Sequence, residues 1–67
     1  MLPEADIWAA ALAMVKRYGA DAMLEAAARA QRLLDDGDSL AAANWHRIRD
    51  AIEQLQAKAP AEGEKVH

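Results

Sequence analysis

The stretch that decides the fold is residues 40–59, LAAANWHRIRDAIEQLQAKA. Its apolar residues recur at alternating spacings of four and three, which places them on one side of an α-helix. Ser39 or Asp38 can cap the start of this helix, and Pro60 is expected to end it. The narrow apolar seam consists of Ala41, Trp45, Ile48, Ile52, Leu55 and Ala59.

Two further helices are predicted over residues 3–18 and 22–35. Pro3 suits a first helical turn, Gly19 and Gly37 suit the ends, and Asp21 is a favourable N-cap. Because both connections are short, consecutive helices should be antiparallel neighbours. The sequence therefore predicts an all-α fold, a three-helix up-down-up bundle over residues 1–59. The polar segment 60–67 lacks periodicity and is predicted to be a disordered tail.

Composition limits what such a chain can do. It has 67 residues, a formal net charge of −3 and no cysteine. A domain this small buries only about 60% of the surface of its unfolded chain, so its core is marginal. Since disulfides are excluded, association with a partner subunit is the remaining common device, and we expect a homodimer or another protein partner. No apolar run is long enough to span a bilayer and no basic leader is present, which favours the cytoplasm.

The sequence offers little for a metal, a cofactor or catalysis. Asp36 and Asp38 could begin a calcium loop, but Leu40 and Arg47 occupy positions that need oxygen ligands, so turn and cap chemistry is the better interpretation. His46 has no neighbouring nucleophile or second acid on its helix, and we interpret it as a surface residue. We expect no metal site, no cofactor and no enzymatic activity.

A helix-turn-helix nucleic-acid-binding protein is the alternative function. The second and third helices are joined by a short glycine turn, and Arg47 and Arg49 could lie on a recognition helix. However, Asp50 and Glu53 share the exposed face, and the acidic chain lacks the charge that phosphate contacts require. The arginines are instead expected to pair with carboxylates along their helices. The predicted pairs are Glu25 with Arg29, Arg47 with Asp50, and Arg49 with Glu53.

The leading functional prediction is a non-enzymatic helical module that binds a protein partner or a second copy of itself. One form would be a small regulator or inhibitor of a larger complex. The first helix has a wide apolar face, and small residues in the second helix permit close helix crossing. Trp45 is predicted to be core, whereas for Trp8 core and interface both stay open. The candidate interface residues are Trp8, Leu12, Ala26 and Leu33.

The chain also resembles a family of very short, uncharacterised bacterial helical proteins. The resemblance covers nearly all of residues 7–55 and implies an independent small protein, with no activity, ligand or site to transfer. It rests on Ile7-Trp8-Ala9, Gly19, Asp21, Gly37-Asp38 and the ending Trp45-x-x-Ile48-x-x-Ala51-Ile52-x-x-Leu55.

Overall fold

The computed structural model describes the backbone of residues 1–64 and the side chains of residues 1–57. The regular structure in this part is entirely helical: α1 Glu4–Tyr18, α2 Ala22–Asp35 and α3 Ser39–Glu64. A 3-10 turn, Gly19–Asp21, joins α1 to α2 directly, with no residue of irregular structure between them. The all-α prediction is confirmed, but α1 and α2 are less sharply separated than the sequence predicts.

Helix α1 begins and ends where its terminal residues predict. The carbonyl of Pro3 accepts the N–H groups of Asp6 and Ile7 at 3.0 and 3.1 Å. At the other end Gly19 has φ +57°, a value that a residue with a Cβ rarely adopts, and its N–H bonds to the carbonyl of Val15. The sequence predicts Asp21 as the N-cap of α2, but its side chain makes no capping hydrogen bond, because its backbone (φ −91°, ψ 4°) lacks the extended conformation of an N-cap residue.

The connection between α2 and α3 satisfies several of the free backbone groups at the ends of both helices within three residues. The N–H of Gly37 bonds to the carbonyl of Leu34 at 3.0 Å, and the N–H of Asp38 to that of Leu33 at 2.8 Å. With Gly37 at φ +84°, this is a Schellman motif. The Asp38 carboxylate then accepts the N–H of Ala41 at 3.1 Å, so Asp38 and not Ser39 is the N-cap of α3.

Helix α3 ends later than predicted. The structure continues it through Pro60 to Glu64, whereas the sequence predicts an end at residue 59 and a disordered tail from residue 60. The prediction gave Pro60 too much weight. Proline removes one backbone hydrogen bond, but its fixed φ near −65° is compatible with helical backbone. The rest of the predicted tail, residues 65–67, lies outside the described residues.

All three helices contribute to one apolar core. Helix α1 provides isoleucine, alanine and methionine, α2 provides only alanine, and α3 provides two isoleucines and an alanine. Ile52 is the largest side chain that is fully buried, and the predicted seam is right for Ile48 and Ile52. Trp45 and Leu55 are only half-buried against this core. The core members are Ile7, Ala11, Met14, Ala22, Ala26, Ile48, Ala51 and Ile52.

Helix α3 packs against both α1 and α2, which contact each other less. Near the start of α1, the N–H of Leu2 donates to Asn44 Oδ1 at 3.2 Å and the Leu2 carbonyl accepts from Arg47 Nη1 at 2.8 Å. Beyond the end of α1, the Gly19 carbonyl accepts from Gln56 Nε2 at 2.8 Å. The beginning of α1 therefore lies beside the early part of α3, and its end beside a later part.

In the part of the chain that the structure describes, no helix combines the length and the apolar character needed to cross a membrane.

Candidate interaction surface

A solvent-open groove of about 280 Å³ lies where the three helices meet. Because α1 and α2 make few mutual contacts, a side chain from α3 is left partly exposed between them. That side chain is the half-buried Trp45, which we predicted to be core and which both packs on the core and lines the groove. We call this site the arginine–aromatic groove. Its lining residues are Ala10, Ala13, Met14, Arg17, Tyr18, Arg29 and Trp45.

Arg29 organises the groove. Its Nη2 donates to the Tyr18 hydroxyl at 2.8 Å, and its Nη1 makes a weak contact with the Met14 sulfur at 3.8 Å. The same guanidinium lies 5.6 Å from the centre of the Tyr18 ring and 5.2 Å from that of Trp45. Both distances are in the range of cation–π attraction. Arg29 thus links one aromatic residue of α1 to one of α3.

A second guanidinium approaches the same tyrosine. Arg17 lies 5.6 Å from the centre of the Tyr18 ring, the same distance as Arg29. Among residues 1–57, the only ion pair joins Arg49 to Asp50 at 3.0 Å. Two positive charges therefore share one aromatic ring with no carboxylate at ion-pairing distance in this part of the chain.

The predicted helical ion pairs are wrong. Arg29 faces the aromatic rings and not Glu25, because α2 turns it toward α1 and α3. Arg47 donates to the Leu2 carbonyl, and Arg49 pairs with Asp50. For Arg29 and Arg47, tertiary contacts with aromatic rings and a backbone carbonyl thus replace local pairs that contribute only a few tenths of a kcal/mol each.

Of the four predicted interface residues, three are at least partly exposed and one is buried. Ala26 is fully buried in the core, so its assignment to an interface is wrong. An alanine at the α2 crossing is small enough to be enclosed by neighbouring helices, and sequence spacing alone cannot separate that case from an exposed flank. Leu12 is 50% exposed, while Trp8 and Leu33 are half-buried. Trp8 packs against the core and lines a separate hollow of about 180 Å³ beside α3.

The acidic connection between α2 and α3 forms a second distinctive surface. We call residues 34–40 the acidic turn. The side chains of Asp35, Asp36 and Asp38 are exposed there. Leu34 and Leu40 flank them and are 46% and 58% exposed, so the turn presents carboxylates between two apolar side chains.

Other candidate chemistry is sparse in the described part of the chain. No group of three or more histidine, cysteine, aspartate or glutamate side chains there is arranged to hold a metal ion. His46 is exposed on α3.

Comparison with protein-family models, with curated proteins and with solved structures finds no match to this chain. The resemblance to very short bacterial helical proteins therefore stays a prediction.

Proposed function

We propose that this chain is a small, non-enzymatic helical module that binds proteins, and that its first partner is a second copy of itself. The observation that carries the proposal is the arginine–aromatic groove, in which Arg29 and Trp45 lie half-buried and open to solvent. Tryptophan, tyrosine and arginine dominate the binding energy of protein interfaces. A regulator or inhibitor of a larger complex is one form that such a module takes.

Within this proposal, the helices form an up-down-up three-helix bundle. The hydrogen bonds of Leu2 to Asn44 and of Gln56 to Gly19 support a parallel course for α1 and α3. The short connections support an α2 that runs antiparallel to both. In this arrangement the groove is bordered by α1 and α2, with α3 as its floor.

Self-association is supported by the small size of the core. Four of its eight members are alanines, and among residues 1–57 Ile52 is the only large side chain that is fully buried. A single core in a chain of this length rarely supplies more than about 3–5 kcal/mol. Leu12, Leu34 and Leu40 are each about half exposed, so apolar surface is available for further burial.

The proposal includes no catalytic step and places the protein in the cytoplasm. The groove lining combines arginine, aromatic, alanine and methionine side chains, without the acid–base or nucleophile pairs that catalysis requires. Such a lining suits recognition of a protein surface better than chemistry on a small substrate.

Analytical ultracentrifugation tests the proposal. We expect the purified chain to sediment at twice its mass in the micromolar range, and its melting temperature to rise with protein concentration, because dissociation is linked to unfolding. Leu33→Glu should abolish the dimer. Leu24→Glu is a matched control, since Leu24 is 72% exposed. It lies nine residues before Leu33, which places it on the opposite side of α2.

A chain that sediments as a monomer at every concentration, with a concentration-independent melt, would refute the proposed self-association. A dimer that resists Leu33→Glu but dissociates with Leu24→Glu would place the contact on the opposite side of α2.

A further inference from the structure

We propose that the acidic turn of a second copy occupies the arginine–aromatic groove, in a twofold dimer built around antiparallel α2 helices. This inference rests on the proposed function and specifies its contact. The central pair joins Arg29 of one copy to Asp36 of the other. By symmetry the pair occurs twice in each dimer.

The first argument is the uncompensated charge in the groove. Arg29 is half-buried, and its described acceptors are one hydroxyl oxygen and a weak sulfur contact. A guanidinium has five N–H donors in a planar fork that matches a carboxylate. Arg17 adds a second positive charge at the same tyrosine ring. A carboxylate placed in the groove would relieve the repulsion between these two cations and offer an acceptor to further N–H donors of Arg29.

The second argument is that the same chain exposes the complementary group. Asp36 lies at the C-terminus of α2 with its side chain exposed, and Leu40, in the same acidic turn, is 58% exposed. The turn therefore offers a carboxylate for Arg29 together with apolar surface for the Trp45 ring. The small side chains of Ala10 and Ala13 leave room for that apolar surface at the α1 wall of the groove.

The third argument is register. Arg29, Leu33 and Asp36 are spaced by four and three residues, so they lie along one face of α2. Arg29 and Asp36 are separated by about 10 Å along the helix axis. A twofold axis that passes beside Leu33 brings each Arg29 opposite the Asp36 of the other copy when the two helices run antiparallel. Leu33 is half-buried and would be covered by its symmetry mate.

A charge-exchange experiment tests the contact. In Arg29→Glu homodimers each of the two contacts would place two carboxylates next to each other. In Asp36→Arg homodimers each contact would place two guanidinium groups next to each other. We expect the dimer dissociation constant of each variant to rise roughly 100-fold, about tenfold for each of the two contacts. An equimolar mixture of the two variants should form a heterodimer of near wild-type affinity, because both of its contacts again join opposite charges.

Controls separate this contact from general charge effects. Lys16→Glu and Glu53→Arg make the same charge changes at exposed positions outside the groove and the acidic turn, and they should leave the dissociation constant within about twofold of wild type. Circular dichroism establishes that each variant is helical. Asp36 is exposed and lies beyond the last residue of α2, so Asp36→Arg still tests the contact if Arg29→Glu fails to fold.

The outcomes distinguish the two proposals. A wild-type monomer would overturn both the self-association and this contact. A wild-type dimer whose dissociation constant is unchanged by Asp36→Arg, or a variant mixture that forms no heterodimer, would overturn the groove contact alone and leave self-association through another face.

Discussion

Replacing Ile52 with alanine should remove most of the stability of the fold. Ile52 is fully buried, and the change deletes three carbons. At about 0.8 kcal/mol for each buried methylene, the lost transfer free energy is about 2.4 kcal/mol. The cavity left behind raises the cost toward the range of about 2–5 kcal/mol measured for such changes. This compares with a total stability of about 3–5 kcal/mol for a core of this size.

Thermal melts followed by circular dichroism at one fixed protein concentration measure this loss. Each kcal/mol lowers the melting temperature of a domain of this size by about 4–8 °C, so the expected decrease is at least about 10 °C. Ile52→Val removes a single carbon and should lower stability by about 0.5–1.5 kcal/mol. The graded pair tests burial separately from any change in helix propensity.

Leu24→Ala is the matched control, since it also deletes three carbons but from a side chain that is 72% exposed. Its effect should stay within about 0.5 kcal/mol. Equal melting temperatures for Ile52→Ala and Leu24→Ala would show that α3 does not bury Ile52, and the core described above would be wrong.

Three further predictions concern the connections and the groove. Asp38→Ala should lower the free energy of unfolding by about 1 kcal/mol because it removes the N-cap of α3, whereas Ser39→Ala should have little effect. Urea titrations measure both changes, and a larger loss for Ser39→Ala would assign the cap to Ser39. Gly37→Ala should lower the free energy of unfolding by about 1–2 kcal/mol. The loss comes from the positive φ alone, since a Cβ there meets no atom within 4 Å. An unchanged urea midpoint would contradict the left-handed conformation. Tyr18→Phe should lower stability by roughly 0.5–1.5 kcal/mol, because Arg29 loses its oxygen acceptor while the ring remains, and the same change in an Arg29→Ala background should then have almost no effect.

The sequence predicted the helices well because their signals are local. Periodic apolar residues marked α3, and Ile48 and Ile52 are buried as expected. Gly37 and Asp38 stand at the α2–α3 connection because positive φ and side-chain capping are properties of individual residues. The end of α3 was missed because Pro60 disfavours a continuing helix without forbidding it.

The groove could not be found from sequence because its geometry is tertiary. Glu25 is four residues before Arg29 and offered a local partner, yet Arg29 contacts Tyr18 and Trp45 from two other helices. The sequence also did not distinguish buried from exposed alanines, because their burial depends on tertiary packing. Ala26 is enclosed, whereas Ala28 two residues later is exposed, and nothing in the side chain itself distinguishes them.

The alanine face of α2 gives the fold an unusual thermodynamic character. Ala22, Ala26 and Ala30 are all fully buried, at intervals of one helical turn. An alanine has no rotamers to lose, so ordering this face costs no side-chain conformational entropy, but each methyl also contributes little transfer free energy. The packing of α2 against its neighbours therefore depends on the shape of the helix backbone more than on interlocking side chains. Any larger residue on this face would have to separate the helices, so the path of the backbone and the identity of these residues are fixed together.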